Sequence, residues 1–96
     1  MGLLEHINKI FDHRIRLGIM SILVVNEHAD FNRLKELLGA TDGNLSSHAK
    51  SLENAKYIRV EKSFIKRRPN TRYYATPLGK KEFKKHIDAL EKLIRK

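Results

Sequence analysis

Residues 30–77 read DFNRLKELLGATDGNLSSHAKSLENAKYIRVEKSFIKRRPNTRYYATP and hold most of the information about how this chain folds. Leucines recur at helical spacing up to Gly39, a residue suited to a left-handed helix end, and a second helical pattern starts at Thr41. Two strand-like runs follow, separated by the basic segment 65–70. The order of helix, tight turn, helix and basic hairpin predicts a winged helix-turn-helix, a module whose second helix enters the major groove of DNA.

The second helix of this unit is predicted to run from Thr41 to about Ala55. Thr41 can cap its first turn, where Asp42 would interact favourably with the helix dipole. One helical face is apolar and is formed by Leu45, Ala49 and Leu52. The other face is small and polar, and its residues are Gly43, Asn44, Ser46, Ser47, Lys50 and Ser51. Asn32 can cap the preceding helix, so the helix-turn-helix is expected over about 32–55.

The hairpin after this unit, the wing, is predicted over about 57–76 and concentrates positive charge. Apolar residues alternate along its two strands, with Ile58, Val60 and Phe64 on the first and Tyr73 and Ala75 on the second. Pro69-Asn70 supplies turn chemistry between the strands. From Arg59 to Arg72 there are six basic residues and one acid. Such a run alone is usually a solvated face, but after a helix-turn-helix it predicts contacts with phosphates or an A·T-rich minor groove.

Two helical patterns precede the helix-turn-helix. The first is formed by Leu4, Ile7, Ile10 and Phe11, and the second by Ile15, Ile19, Ile22 and Leu23. Both are expected to form core helices. Gly18 lies inside the second pattern and costs roughly 1 kcal/mol relative to alanine, which favours a close-packed neighbour there.

A last helix is predicted from Pro77 to about Arg95, with Thr76 as its cap. Its apolar stripe consists of Phe83, Ile87, Leu90 and Ile94. A helix of this length spans a domain this small, so its C-terminal half would need a partner subunit to cover it. The alternative is that the stripe packs on Leu4, Ile7 and Phe11 of the same chain, and both arrangements are compatible. The predicted dimer interface therefore consists of Leu4, Ile7, Phe11, Phe83, Ile87, Leu90 and Ile94.

Composition limits the remaining possibilities. The 96 residues suffice for a single domain, 1–96, which we expect to be mainly α with a small β-hairpin. A net charge of +9 favours a polyanionic partner. No apolar run is long enough to span a bilayer and no signal peptide is evident, so a cytoplasmic protein with no membrane partner is expected. Having no cysteine excludes disulfides and cysteine-ligated zinc.

The motifs TDGNLSSH, KRRPNTRY and ATPLGK, taken together, resemble those of winged-helix transcriptional regulators related to the MarR and ArsR groups. The resemblance covers nearly the whole chain. It implies a dimeric bacterial or archaeal transcription factor that binds double-stranded DNA. On the DNA-proximal helix, called the recognition helix, the resemblance implies DNA contacts by Thr41, Asn44, Ser46, Ser47 and His48, to which the outward-facing Lys50 is added. On the wing it implies contacts by Lys66, Arg67, Arg68 and Arg72. Relatives usually carry glycine where this chain has Lys56, so the helix end is either strained or capped differently, through Asn54.

The five histidines are candidates for sensing or metal binding. His28 lies in a turn beside Glu27 and Asp30, but without cysteine or a second close histidine no metal site is expected. His48 borders the apolar stripe and could contact a phosphate or close the edge of the core; the resemblance favours the phosphate. His86 is predicted on a helix face near the dimer interface.

Other function classes fit less well. The chain has no nucleophile elbow and no phosphate-binding glycine loop, so neither an enzyme nor a cofactor is expected. A protein-interaction winged helix would need an apolar or acidic outward helix face, which Asn44, Ser47 and Lys50 argue against. RNA binding would need exposed aromatic side chains, for which Tyr57, Tyr73 and Tyr74 are the candidates. The leading hypothesis is a sequence-specific regulator that binds an inverted-repeat operator as a homodimer.

Overall fold

The chain folds into α-helices and one three-stranded antiparallel sheet in a computed structural model that describes residues 2–95. In chain order the elements are a 3-10 helix at Lys9–Phe11, α1 (Arg14–Val25), β1 (Ala29–Asp30), α2 (Phe31–Leu38), α3 (Asp42–Asn54), β2 (Ile58–Ile65), β3 (Arg68–Ala75) and α4 (Pro77–Ile94). Helices α2 and α3 form the helix-turn-helix, and β2 with β3 forms the wing. The α+β winged-helix fold expected from the sequence is confirmed.

Side-chain caps determine where the helices begin. Thr41 Oγ1 accepts the Asn44 N–H at 3.1 Å and Thr76 Oγ1 accepts the Gly79 N–H at 2.9 Å, as predicted. The cap of α2 differs from the prediction, because Asp30 accepts the Arg33 N–H at 2.8 Å. The prediction that Asn32 is the cap is wrong: Asn32 lies inside α2, whose cap is two residues earlier.

The turn between α2 and α3 depends on Gly39. Its φ is 60°, the left-handed conformation that glycine adopts without a Cβ clash. Three residues later α3 begins, and Lys35 Nζ lies 2.7 Å from the Asp42 carboxylate across the turn. The tight turn predicted from Gly39-Ala40-Thr41 is therefore present, with an exposed ion pair bridging the two helices.

The sheet has the strand order β1-β3-β2. Strand β1 was not predicted; it pairs with β3 through Ala29 opposite Tyr73 and Asp30 opposite Arg72. The hairpin turn lies within the predicted segment 65–70, but not at Pro69-Asn70. Lys66 and Arg67 form it with φ values of 51° and 68°, whereas Pro69 and Asn70 belong to β3. A two-residue hairpin turn with two positive φ values matches the twist of the paired strands. Proline cannot adopt a positive φ, so the turn forms at Lys66 and Arg67 rather than at Pro69-Asn70.

The core lies between α1, the helix-turn-helix and the base of the sheet. Its buried side chains come from every helix and strand except the wing tip, and they include Ile19, Met20, Leu23, Leu34, Leu45, Leu52, Ile58 and Tyr73. The predicted apolar stripe of α3, including Ala49, is buried. A Cβ on Gly18 would overlap the Leu38 side chain, which confirms the close-packed neighbour predicted at Gly18 and identifies it as α2.

The predicted first α-helix is wrong. Residues 3–6 form turns, and helical structure before α1 is limited to Lys9–Phe11, where Asn8 Oδ1 accepts the Ile10 N–H at 2.9 Å. Leu4 is 69% exposed, whereas Phe11 is 1% exposed. Four apolar residues at helical spacing were too short a pattern to nucleate a stable helix, and tertiary contacts placed only Phe11 in the core.

Two aromatic positions of the predicted dimer interface are already covered by their own chain. Phe11 and Phe83 lie edge to face with their ring centroids 5.2 Å apart, and both are buried. They are therefore core residues, and their assignment to the interface is corrected. His86, predicted on a helix face near the dimer interface, is instead buried within its own chain, where its Nδ1 accepts the Asn8 N–H at 3.0 Å.

Candidate nucleic-acid interface

Helix α3 presents a polar, exposed face to solvent. Five of the six recognition-helix residues predicted to contact DNA are exposed: Thr41, Asn44, Ser46, Ser47 and Lys50. The geometry follows from burial of the opposite stripe, because Leu45, Ala49 and Leu52 fix the rotation of the helix about its axis. Lys50 is held loosely by Glu53, 3.5 Å away and on the same exposed surface, so its ammonium remains available to another anion. This face has donors and acceptors but no bulky apolar group.

His48 faces α1 rather than solvent alone. Its ring stacks on His13 with centroids 3.8 Å apart, and its Nδ1 lies 2.9 Å from Arg16 Nη1. A guanidinium only donates, so His48 accepts through Nδ1 as a neutral imidazole and carries its proton on Nε2. Burial, followed by the charges of His13, Arg16 and Arg14, lowers the pKa of His48. The neutral form is therefore favoured.

Arg16 connects this histidine pair to the start of α1. Its Nε donates to the Ile10 carbonyl at 2.5 Å while its Nη1 donates to His48. His13 in turn caps α1, since its Nδ1 accepts the Ile15 N–H at 3.1 Å. The cluster of His13, Arg16 and His48 was not predicted from the sequence, and only the cap position of His13 could have indicated it. It orients α3 relative to α1, and a phosphate contact through His48 Nε2 stays a prediction.

The wing carries its charge at the tip. Lys66, Arg67 and Arg68 are exposed, and residues 61–69 form an exposed run. The segment 62–72 contains five cations and no acid. Within residues 2–95 none of these five lies within ion-pair distance of a carboxylate. The tip is thus a concentrated, uncompensated positive surface.

The wing base is electrically different from the tip. Arg59 lies 3.3 Å from Glu61 and stacks over the Tyr74 ring at 3.8 Å. Arg72 is half-buried and lies opposite Glu61 on one neighbouring strand and Asp30 on the other. Of the four predicted wing residues, Arg72 is therefore the least free to reach a phosphate.

The junction of α3 with β2 sets the position of the wing. Lys56 has a φ of 68°, and the Tyr57 N–H donates to the Leu52 carbonyl at 3.0 Å while the Lys56 N–H donates to Glu53 at 2.9 Å. These two bonds form a Schellman motif with lysine at the left-handed position, so the alternative of a cap through Asn54 is wrong. Thr76 Oγ1 donates to the Lys56 carbonyl at 2.7 Å, which ties the junction to the start of α4.

Two further observations concern other kinds of site. No helix within residues 2–95 is both long and apolar enough to cross a bilayer. In the same part of the chain, no three histidine, aspartate or glutamate side chains come together in a way that could hold a metal ion.

Comparison with known proteins gives consistent matches. A family model described as a winged helix DNA-binding domain matches residues 15–94. Protein MJ0432 of Methanocaldococcus jannaschii is 42% identical over 79 residues, which cover 82% of this chain and 86% of that protein. The structure of a transcriptional regulator homologue from Pyrococcus horikoshii OT3 is 30% identical, with a TM-score of 0.86, and covers 97% of this chain and 90% of its own.

A second solved structure shares the fold at lower identity. It is a MarR family transcriptional regulator from Silicibacter pomeroyi, 17% identical, with a TM-score of 0.72. The match covers 93% of this chain and 59% of that one.

Proposed function

This chain belongs to the family of winged helix DNA-binding domains, and on that basis we propose that it is a transcriptional regulator that recognises a specific operator as a homodimer. Two observations carry the proposal: the exposed polar face of α3, and a wing whose tip cations have no carboxylate within ion-pair distance among residues 2–95. A duplex offers base edges in the major groove and phosphates on either side of it, which are the complements of these two surfaces.

Helix α3 supplies the base-reading part of the proposed site. Asn44 and Ser47 lie near its N-terminus on the exposed face, and an asparagine amide can pair bidentately with adenine. The neighbouring exposed residues of α3 are assigned to phosphates or to base edges, which their hydroxyl or ammonium groups can contact; they are Thr41, Ser46 and Lys50. His48 is assigned an indirect role, because its ring is engaged with His13 and Arg16, with Nε2 as its free donor.

The wing supplies the electrostatic part. Lys66, Arg67 and Arg68 are exposed and are assigned to phosphates beside the groove that α3 would occupy, because a guanidinium fork can bind two phosphate oxygens at once. Arg72 is assigned a secondary role, since it is half-buried between strands that carry Asp30 and Glu61.

Dimerisation is assigned to α4 and the N-terminal segment. On α4, Ile87 and Ile94 are exposed and Leu90 is half-buried. In the N-terminal segment, Leu4 is exposed and Ile7 is half-buried. Exposed apolar side chains on a helix about 27 Å long favour association with a second copy. A two-fold dimer would place its α3 helices in successive major grooves, so the operator would be an inverted repeat with half-sites one helical turn apart.

The tyrosines give no support to single-stranded RNA as the main ligand. Tyr73 is buried, and Tyr57 stacks on Phe11 with centroids 5.2 Å apart. Tyr74 is half-buried beneath the Arg59 guanidinium. Base stacking requires an open aromatic face, which these three positions do not offer.

The proposal is tested by selecting duplexes from a randomised library and titrating the selected and scrambled duplexes at several salt concentrations. Asn44→Ala is expected to reduce the preference for the selected duplex by about 1–3 kcal/mol and to leave the salt dependence unchanged. Arg68→Ala should weaken binding to both duplexes and reduce the salt slope by about 1 for each phosphate that is no longer neutralised. Arg95→Ala, at the distant end of α4, is the matched cation control.

Two outcomes would contradict the proposed site. If wild-type protein enriched no duplex and bound both equally, operator recognition would be rejected. If Asn44→Ala lost affinity equally on both duplexes, or Arg68→Ala lost it on the selected duplex alone, the division between a reading helix and a phosphate-binding wing would be wrong.

A further inference from the structure

The wing tip carries an unexpected apolar group among its cations. Phe64 is 75% exposed, and Pro69, directly opposite it on β3, is also exposed. The alternation along β2 predicts that Phe64 lies on the core face of its strand with Ile58 and Val60. It does share that face, but the hairpin extends beyond the core, so the ring stays largely exposed beside Pro69.

The register defines what surrounds the ring. Residues opposite one another in an antiparallel pair lie on the same face, so Lys62, Thr71, Phe64 and Pro69 form one surface of the tip. The hairpin turn of Lys66 and Arg67 follows immediately. An aromatic ring and a proline are therefore bordered by cations on both sides, with no acid between residues 62 and 72.

The reach of the wing matches the spacing of DNA grooves. Phe64 lies six positions after the buried Ile58, which places the ring about 20 Å along the strand from that core residue. One turn of B-DNA is about 34 Å, so a minor groove lies about 17 Å from the centre of the adjacent major groove. With α3 in the major groove, the tip of β2 is long enough to reach the neighbouring minor groove.

Resting on the proposed function, we propose that Phe64 is an apolar wedge that enters the minor groove and partly separates a base step, with Pro69 supporting the ring. Apolar side chains inserted from protein into the minor groove unstack base pairs and bend the duplex toward the major groove. The occupant is double-stranded DNA because the wing cations, which have no carboxylate within ion-pair distance in the described part of the chain, are complementary to the phosphates that line this groove. Lys62 on the same face, with Lys66 and Arg67 in the adjacent turn, would hold those phosphates while the ring meets the bases.

The wedge gives a specificity that hydrogen bonds do not provide. Pyrimidine–purine steps such as TA and CA are the most easily unstacked. A protein with a wedge at the wing should therefore prefer such a step at a fixed distance from the bases contacted by α3. That preference should disappear when the ring is removed, even though every hydrogen bond to a base is kept.

The experiment compares Phe64→Ala and Phe64→Leu with wild-type protein on a duplex selected from a randomised library. Binding is measured by titration, bending by energy transfer between end labels, and unstacking by 2-aminopurine placed at successive steps. Phe64→Ala should bind about tenfold more weakly, the order expected when one aromatic ring no longer stacks on a base, with an unchanged salt slope and a smaller bend. Phe64→Leu should retain part of the affinity and of the bend. Ile65→Ala, on the opposite face of the same strand, is the matched control.

The outcomes separate this inference from the proposed function. If wild-type protein binds the selected duplex but Phe64→Ala matches it in affinity, bend and 2-aminopurine signal, the wedge is rejected and operator binding stands. If wild-type protein selects no duplex, both fail. If Phe64→Ala instead changes the sedimentation of the free protein, the ring belongs to an interface with a second copy, and the wedge is again rejected. Retained circular dichroism and melting temperature confirm that the variant is folded.

Discussion

Lys56 has an unfavourable backbone conformation at a position that links three elements. Its φ of 68° lies in the left-handed region, where a Cβ costs about 1–2 kcal/mol. The conformation persists because the Schellman bonds at the end of α3 and the Thr76 hydrogen bond to the Lys56 carbonyl all require it. A lysine at this position therefore stores strain in a junction that sets the wing against α3.

Lys56→Gly is expected to raise the free energy of unfolding by about 1 kcal/mol, or several degrees in melting temperature, because glycine adopts this φ without the Cβ clash. Thermal unfolding measures the change. The control is Ala55→Gly, one residue earlier, where φ is −77° and glycine only adds flexibility to the unfolded chain. A melting temperature for Lys56→Gly at or below that of wild type would contradict strain at this position.

His86 is a second residue whose environment has a measurable consequence. It is buried against Phe11 and accepts the Asn8 N–H through Nδ1, which requires the neutral ring. Burial lowers the pKa of His86, and the Asp12 carboxylate opposes that effect without cancelling it. Because the unfolded chain takes up a proton at a higher pH than the folded protein, the stability contributed by the neutral ring is present above about pH 6.5 and is lost as pH falls below it.

The melting temperature should therefore fall between about pH 7 and pH 5, and His86→Gln should reduce this fall. Glutamine keeps an acceptor for the Asn8 N–H but does not titrate. Part of the dependence should remain, because His48 also has a lowered pKa. His6→Gln, at an exposed histidine, is the control and should behave as wild type. Identical pH profiles for His86→Gln and wild type would exclude this role of His86.

At the scale of elements, the start of α4 packs directly on the junction between α3 and β2. A Cβ on Gly79 would overlap the carbonyl group of Tyr57, and the Thr76 N–H donates to the same carbonyl at 3.0 Å. A residue with a side chain at position 79 would clash with the Tyr57 backbone, and a backbone group cannot rotate away as a side chain could. This contact fixes α4 relative to the helix-turn-helix and so relates the proposed dimer helix to the proposed DNA-reading helix.

Gly79→Ala should lower stability by roughly 1–3 kcal/mol, the usual range for overpacking, because the backbone of one element must shift. Gly43→Ala is the matched variant, since nothing lies within 4 Å of its would-be Cβ and alanine favours the helix. Denaturant unfolding should show the first variant destabilised and the second unchanged or more stable. Equal stability of the two variants would mean that α4 adjusts freely on the junction.

At the scale of the whole molecule, the proposed functional surfaces lie on different parts of an elongated chain. The principal extents are 53, 25 and 21 Å. The acid-free wing tip and several apolar side chains of α4 are exposed, whereas the helix-turn-helix is packed on α1. Association through α4 would leave α3 and the wing of each copy free for DNA.

Changing both Leu90 and Ile94 to lysine should produce a folded monomer, because two ammonium groups would have to be buried without partners in the proposed interface. Ile94 is 84% exposed in the single chain, so its substitution should cost the monomer little, whereas Leu90 is half-buried and circular dichroism must show that the double variant is folded. Sedimentation velocity measures the state, and duplex titration should show weaker binding. Leu78→Lys, an exposed apolar position at the other end of α4, is the control. A dimer unchanged in the double variant would reject this interface.

Much of the architecture follows from local signals in the sequence. The caps Thr41 and Thr76, the left-handed Gly39 and the buried stripe of α3 all involve residues within a few positions of one another. Local backbone chemistry therefore predicted α3, its exposed face and the start of α4 almost to the residue. The charge of the wing was likewise visible from composition alone.

Contacts between distant residues decided the rest. His48 meets Arg16 across 32 positions and His86 meets Asn8 across 78, and no local pattern in one segment identifies its partner in the other. The first predicted helix is replaced by turns, and β1 exists only because it pairs with β3. Phe64 lies outside the core because the hairpin is longer than the core it packs on. Burial and pairing depend on which surfaces meet in three dimensions, and periodicity along one segment carries no information about its partner.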